Sequence, residues 1–179
     1  MKNITVKRYT QLGNTALYDA VLEHLNPNNS FAGKQMNVNS MPYANVKYAI
    51  RLLPKINNWD GVYQLFEICY EVTEKQFWKA RITDYFSARK FILNSLAQVV
   101  QNENRALSSQ STDNHLWKMA GAEKLAPYND TLPLVQLGKL LGQYPFDLGR
   151  KPYGEIFSLL AQTKLQNEVE ADYQKLSRP

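Results

Sequence analysis

Apolar positions along this chain recur mainly at steps of three and four residues, the spacing that lines one side of a helix. In residues 14–25, Leu17, Val21 and Leu25 stand four apart behind Asn14, a residue type suited to a helix N-cap, and Pro27 follows as a stop. Pro42 suits a first helical position, and Tyr43, Val46, Ile50 and Leu53 then form a stripe that Pro54 closes. Val62, Leu65, Phe66 and Cys69 share one face of a helix over 60–72. Thr73 and Gln76 have capping-box spacing and open a short helix through Phe77 and Trp78. The longest helix is expected over 84–104 behind Thr83, with Tyr85, Ala88, Ile92, Leu96 and Val99 as its spine and Phe86, Leu93 and Val100 widening the buried face.

Further along, Asp113 can cap a short helix through Trp117, Ala120 and Leu125, and Thr131 with Pro133 starts another that holds Leu134, Leu137 and Leu141. Pro152 opens a helix that reaches Leu176. Its first half is apolar, with Ile156, Phe157, Leu159 and Leu160, whereas residues 162–175 keep only Leu165, Val169 and Tyr173. A helix with so polar a second half projects from the body or lies on a partner.

Two segments interrupt the periodicity. Residues 26–40 are polar and Asn-rich, with few apolar anchors against chain entropy, so a mobile loop is expected there. Residues 108–114 (SSQSTDN) compete with the backbone for hydrogen bonds and form the candidate hinge. Period-two patterning is confined to Ile4 and Val6, which suit a short strand or an extended arm ordered by a partner. No repeat of 20–50 residues is visible. The expected fold is all-α: one irregular multi-helix bundle over 1–179, with an extended N-terminal arm.

Composition bounds the setting. With 179 residues, 44% of them hydrophobic and 21% charged, the chain can bury a core without staples. Cys69 is the only cysteine, so an intramolecular disulfide is impossible; on its apolar stripe it is expected to be buried and inert. No apolar run nears the roughly 20 residues that span a membrane. Residues 1–10 lack the apolar segment of a signal peptide, which points to synthesis in a cytosol, without secretion by that route.

Candidate chemistry is sparse. His24 and His115, the only histidines, have no close Cys, His or carboxylate partners of the kind a zinc site needs. Glu67 with Glu71 and Glu168 with Asp172 share helix faces, yet no Glu-x-x-His motif joins them, and Lys164 and Lys175 stand close to the second pair. Ala32-Gly33-Lys34 lacks the upstream glycine of a phosphate loop and has Gln35 where the hydroxyl would be. No nucleophile elbow or dinucleotide fingerprint occurs. No catalytic residue, cofactor site or metal site is therefore assigned, and a non-enzymatic role is expected.

The net charge of +5 changes the picture by admitting nucleic acid as an alternative partner. Two basic–aromatic clusters could serve it: Lys47, Tyr48, Arg51 and Lys55 on one helix, and Trp78, Lys79, Arg81, Arg89 and Lys90 around the start of the longest helix.

Two stretches resemble a family. LFEICYEVTEKQFWKARITDYFSARKFI (65–92) and LPLVQLGKLLGQYPFDLGRKPYGEIFSLL (132–160) are similar to small helical proteins of tailed bacteriophages, most nearly tail-assembly chaperones. The resemblance rests on an apolar helix, a short helix and an Asp-aromatic step, here Asp84-Tyr85, then on a leucine-rich helix, a loop and an apolar helix. It implies a non-enzymatic assembly role, as a chaperone or as a virion component such as a head–tail connector, in host cytoplasm or virion. That role requires other protein subunits, as a homo- or hetero-oligomer. The contact residues expected on this reading are Ile4, Val6 and Tyr9 of the N-terminal arm and Leu165, Val169, Tyr173 and Leu176 of the last helix.

Overall fold

The computed structural model describes residues 4–108 and 119–177. The fold is all-α, with one small hairpin as its only strands among the described residues. The elements are α1 (Val6–Thr10), α2 (Ala16–Leu22), β1 (Ser30–Phe31), β2 (Lys34–Gln35), α3 (Tyr43–Leu52), α4 (Trp59–Tyr70), α5 (Glu74–Lys79), α6 (Ile82–Leu107), α7 (Leu132–Leu141), α8 (Pro145–Arg150) and α9 (Tyr153–Leu176). A single 3-10 turn covers Leu53–Lys55, and a longer 3-10 segment covers Ala122–Tyr128. The chain divides into two compact units. Asn45–Val99 and the chain up to Met41 form the first; Pro42–Ala44 and the chain from Val100 onward form the second. The hinge expected at 108–114, with His115 and Trp117, lies beyond Ser108 outside the described residues.

The first unit is built on an aromatic core. Phe66 of α4 meets Phe31 (ring centroids 4.6 Å apart), Phe77 (5.3 Å), Tyr85 (5.2 Å) and Tyr70 (5.7 Å), in edge-on and offset arrangements that suit the ring quadrupoles. The helix expected over 84–104 starts earlier, at Ile82, so Thr83 lies inside α6 and is not its cap; α4 and α5 start close to where the sequence indicates. Asn58 accepts the Gly61 N–H at 2.8 Å to cap α4, and Thr73 and Gln76 form the reciprocal capping box of α5. On α6, Tyr85, Ala88, Ile92, Leu96 and Val99 are buried as its period requires, and Phe86 joins them, whereas Leu93 and Val100 sit at the exposed edge of the stripe. Cys69 is buried in this unit, and burial pushes its thiol up to about 12.

Three expectations change here. The N-terminal segment is not an extended arm. Thr5 caps α1, Val6 N–H donates to Ala80 O and Ile82 N–H to Ile4 O, and Val6 is fully buried. The 26–40 segment is likewise anchored: Ala32 and Gly33, both at positive φ, make the two-residue turn that pairs β1 with β2. That turn delivers Phe31 and Met36 to the core, and both are buried. Finally, α2 buries Leu22 while Leu17 and Val21 face outward, so its predicted stripe is on the wrong face.

In the second unit α7 and α8 pack against each other through Leu134, Leu137 and Leu148, and Tyr153 and Ile156 of α9 are buried with them. The turn out of α7 needs two glycines for different reasons. Gly142 adopts the left-handed conformation (φ 64°), and Gly138 receives the Gln143 N–H on its carbonyl so closely that a Cβ there would lie 2.7 Å from Gln143 O. Tyr43 stacks on Tyr153 at 5.9 Å, and the Tyr153 hydroxyl donates to Glu103 Oε1 at 3.2 Å. Burial, then the Glu103 carboxylate, pushes both phenols well above their ordinary value, which leaves them as neutral packing and hydrogen-bonding groups.

Candidate interaction surfaces

Three features stand out, two in the second unit and one in the first. In the second, α9 presents two chemically different faces. Tyr153, Ile156, Leu160 and Thr163 lie on its packing side, and Lys164 beside them donates to Ala106 O (3.2 Å) near the end of α6 and to Ser108 O (2.7 Å) just beyond it. At about 100° per residue, Leu165, Val169, Tyr173 and Leu176 fall within about 80° of one another and roughly opposite Ile156. They are 62, 61, 72 and 86% exposed. Every described residue of α9 from Leu165 onward is exposed, so the stripe is uncovered because this half of the helix projects from its unit. Of the residues expected to make contacts, these four are available. Val6 and Tyr9 are not, because both are buried, and Ile4 is half-buried.

A second exposed apolar group, which sequence reasoning missed, lies at the α7–α8 junction. Leu140, Tyr144 and Phe146 are all more than 60% exposed, and Leu141 accompanies them. The signal was the run Leu140–Phe146 around a helix C-cap; the sequence reading placed Leu141 inside with Leu134 and Leu137, whereas it is exposed.

In the first unit the structure redistributes the predicted cations. On α3, Arg51 lies over the ring of Tyr48 at 5.5 Å, and Lys55 falls in the 3-10 turn beyond it, with Lys47 half-buried upstream. Around α6, Arg81 is paired with Asp84 at 2.9 Å, and Arg89 lies beside Tyr85, whose phenol burial pushes up to about 12 against the pull of that cation. Lys90 donates to Glu23 O and Leu25 O and so caps the end of α2. Of this second cluster, Trp78 and Lys79 line a concave site.

That site is an open cleft of about 620 Å³ between α1 and α5. Lys7, Lys75, Lys79 and Trp78 line it, together with Thr10 and Glu74. Glu74 Oε1 accepts the Trp78 Nε1–H at 3.1 Å, fixing the indole. The three lysines are exposed and have no acidic partner among the described residues. Lys7 and Lys75 were not singled out from sequence, although Lys75 and Lys79 stand one helical turn apart on one side of α5.

Among the described residues no group of three or more His, Cys, Asp or Glu side chains is placed to hold a metal ion, and no helix is long and apolar enough to cross a membrane. Comparison of the chain with protein-family models, curated proteins and solved structures finds no match.

Proposed function

We propose that this chain is a non-enzymatic interaction protein that helps build a phage-like particle, and that it pairs with a second copy of itself along the outer face of α9. The observation that carries the reading is the exposed stripe Leu165–Val169–Tyr173–Leu176 on the second half of α9, where every described residue is exposed. The phage setting rests on the resemblance of residues 65–92 and 132–160.

The stripe is self-complementary. In an antiparallel pair of identical helices, residues whose numbers share one sum lie opposite each other across the two-fold axis. Leu165 with Leu176, and Val169 with Tyr173, give sums that differ by a single residue, so one register apposes Leu to Leu and Val to Tyr twice. Glu168 falls near both Asp172 and Lys175 of the second copy, so charge neither specifies nor forbids the pairing. Full burial of such side chains is worth about 1.5–3 kcal/mol each before the entropy of association, which costs about 4–15 kcal/mol. The stripe alone thus supports a weak dimer, and the exposed Leu140, Tyr144 and Phe146 offer a particle further contact area.

The test is sedimentation over a range of concentrations for the intact chain and for a V169E/Y173E variant. Both side chains are exposed, so the variant keeps its helical circular dichroism. The intact chain should self-associate and the variant should remain monomeric. A monomeric intact chain, or association untouched by the two substitutions, overturns the reading.

A further inference from the structure

We infer that the α1–α5 cleft of the first unit binds single-stranded nucleic acid, with backbone phosphates on Lys7, Lys75 and Lys79 and a base laid against Trp78. The charge argument comes first. Three ammonium groups line one cleft against a single carboxylate, Glu74, so the lining carries a net charge of 3 − 1 = +2. Elsewhere the fold gives several cations partners: Arg81 has Asp84, and Lys90 and Lys164 cap helix ends. Here it gives none, and the mutual repulsion of the three is relieved by a bound polyanion. The cations are all lysines, point charges suited to backbone phosphates and lacking the planar fork that reads base edges.

The aromatic component decides the class of polyanion. Trp78 is half-buried; it packs edge-on against Phe77 (5.1 Å) and tilted against Trp59 (6.3 Å), and it is one of the residues that line the cleft. Its hydrogen bond to Glu74 holds the indole in place before any ligand arrives. An indole pre-set beside phosphate-binding cations is a stacking platform. A base offers its face to such a platform only when it is outside a duplex, which favours a single strand over double-stranded DNA or a simple polyphosphate. The cleft is large enough for a nucleotide and open, so the strand can continue at both ends.

The experiment uses the full chain and a labelled single-stranded oligonucleotide, with fluorescence anisotropy as the readout. Binding is expected at low salt, and the logarithm of the association constant should fall against the logarithm of salt concentration with a slope of about −2, as three phosphate contacts at about 0.7 each require. K75E/K79E should lose at least about ten-fold in affinity and K75R/K79R should keep most of it, as phosphate contacts predict. Trp78→Leu should weaken binding by roughly ten-fold. Because Lys75 and Lys79 are exposed, circular dichroism of those variants should match the intact chain, and their result stands even if Trp78→Leu misfolds. No binding at low salt, or equal binding by K75E/K79E, overturns the inference. So does equal binding of inorganic polyphosphate together with indifference to Trp78→Leu in the folded variant, since the cleft would then recognise phosphate and not a nucleic-acid strand.

Discussion

Phe31→Ala tests whether the Asn-rich segment is a mobile loop or an anchored hairpin. Phe31 is 1% exposed and touches three other rings: Phe66 edge-on at 4.6 Å, and Tyr70 and Phe77 tilted at 5.7 and 6.0 Å. Truncating a buried Phe to Ala typically costs about 3–5 kcal/mol, and that figure already contains the aromatic contacts, worth about 0.5–1.5 kcal/mol apiece. A two-residue turn at the surface can partly collapse into the space, so about 3 kcal/mol is the expected loss. That is a large share of the roughly 5–15 kcal/mol that holds a domain together. The assay is urea unfolding followed by circular dichroism, with hydrogen exchange of the Met36 amide, which donates to Asn29 O at 2.9 Å, as the local readout. The midpoint should fall, the exchange should speed up, and Phe31→Leu should recover more than half of the loss. If the two units unfold separately, only the first unit's transition should move. A loss below about 0.5 kcal/mol, with Met36 exchange unchanged, would refute the anchoring argument, since a loop held by nothing loses nothing on truncation.

Three further outcomes follow from the same core and turns. The Tyr70 hydroxyl is buried without a hydrogen-bond partner among the described residues, so Tyr70→Phe should raise stability by about 1 kcal/mol in urea unfolding; a comparable loss would mean that the hydroxyl is satisfied. Cys69 and Tyr85 are held protonated by burial, both at about 12, against 9.0 and 10.0 ordinarily, so the unfolded chain ionises first. Stability should therefore be complete below pH 9 and decline from there towards pH 12, with Cys69→Ala and Tyr85→Phe each flattening the decline; an unchanged slope in both variants would contradict this. Gly138→Ala should destabilise, despite alanine's helix propensity advantage of about 1 kcal/mol, because its Cβ would meet Gln143 O at 2.7 Å; a higher melting temperature would show that the turn gives way freely.

What the sequence made legible was local and periodic. The spine of α6, the Thr73–Gln76 capping box, the start of α9 after Pro152 and the burial of Cys69 each depend on neighbours within a turn or two, and each was readable. The hairpin was not, because only two of its side chains, Phe31 and Met36, do the anchoring, and composition averaged over fifteen residues hides two. Ala32 at positive φ hid it further, since alanine is a poor marker for a turn that Asn or Gly usually makes. In α2 an i, i+4 series of leucine and valine fits more than one face of a seven-residue helix. Leu22, offset from that series by a single residue, is the side chain buried, and Lys90, distant in sequence, caps the end.

Surface chemistry was less legible for a related reason. Whether a lysine is available to a ligand depends on partners that sequence spacing does not reveal. Lys79, Lys90 and Arg81 lie within twelve residues of one another, yet one lines a cleft, one caps a distant helix and one is neutralised by Asp84. Lys7 and Lys75, which no cluster in the sequence singled out, come together because the N-terminal segment is folded in: Val6 N–H donates to Ala80 O, and that bond brings α1 alongside α5. The same fold that removes Val6 and Tyr9 from any partner surface thus assembles the basic cleft beside them. On α9, by contrast, availability depends on position along one helix: Tyr153 and Ile156 are buried, and every described residue from Leu165 onward is exposed. There the polar composition of residues 162–175 signalled a projecting half-helix, and Leu165, Val169, Tyr173 and Leu176 are exposed along with their neighbours.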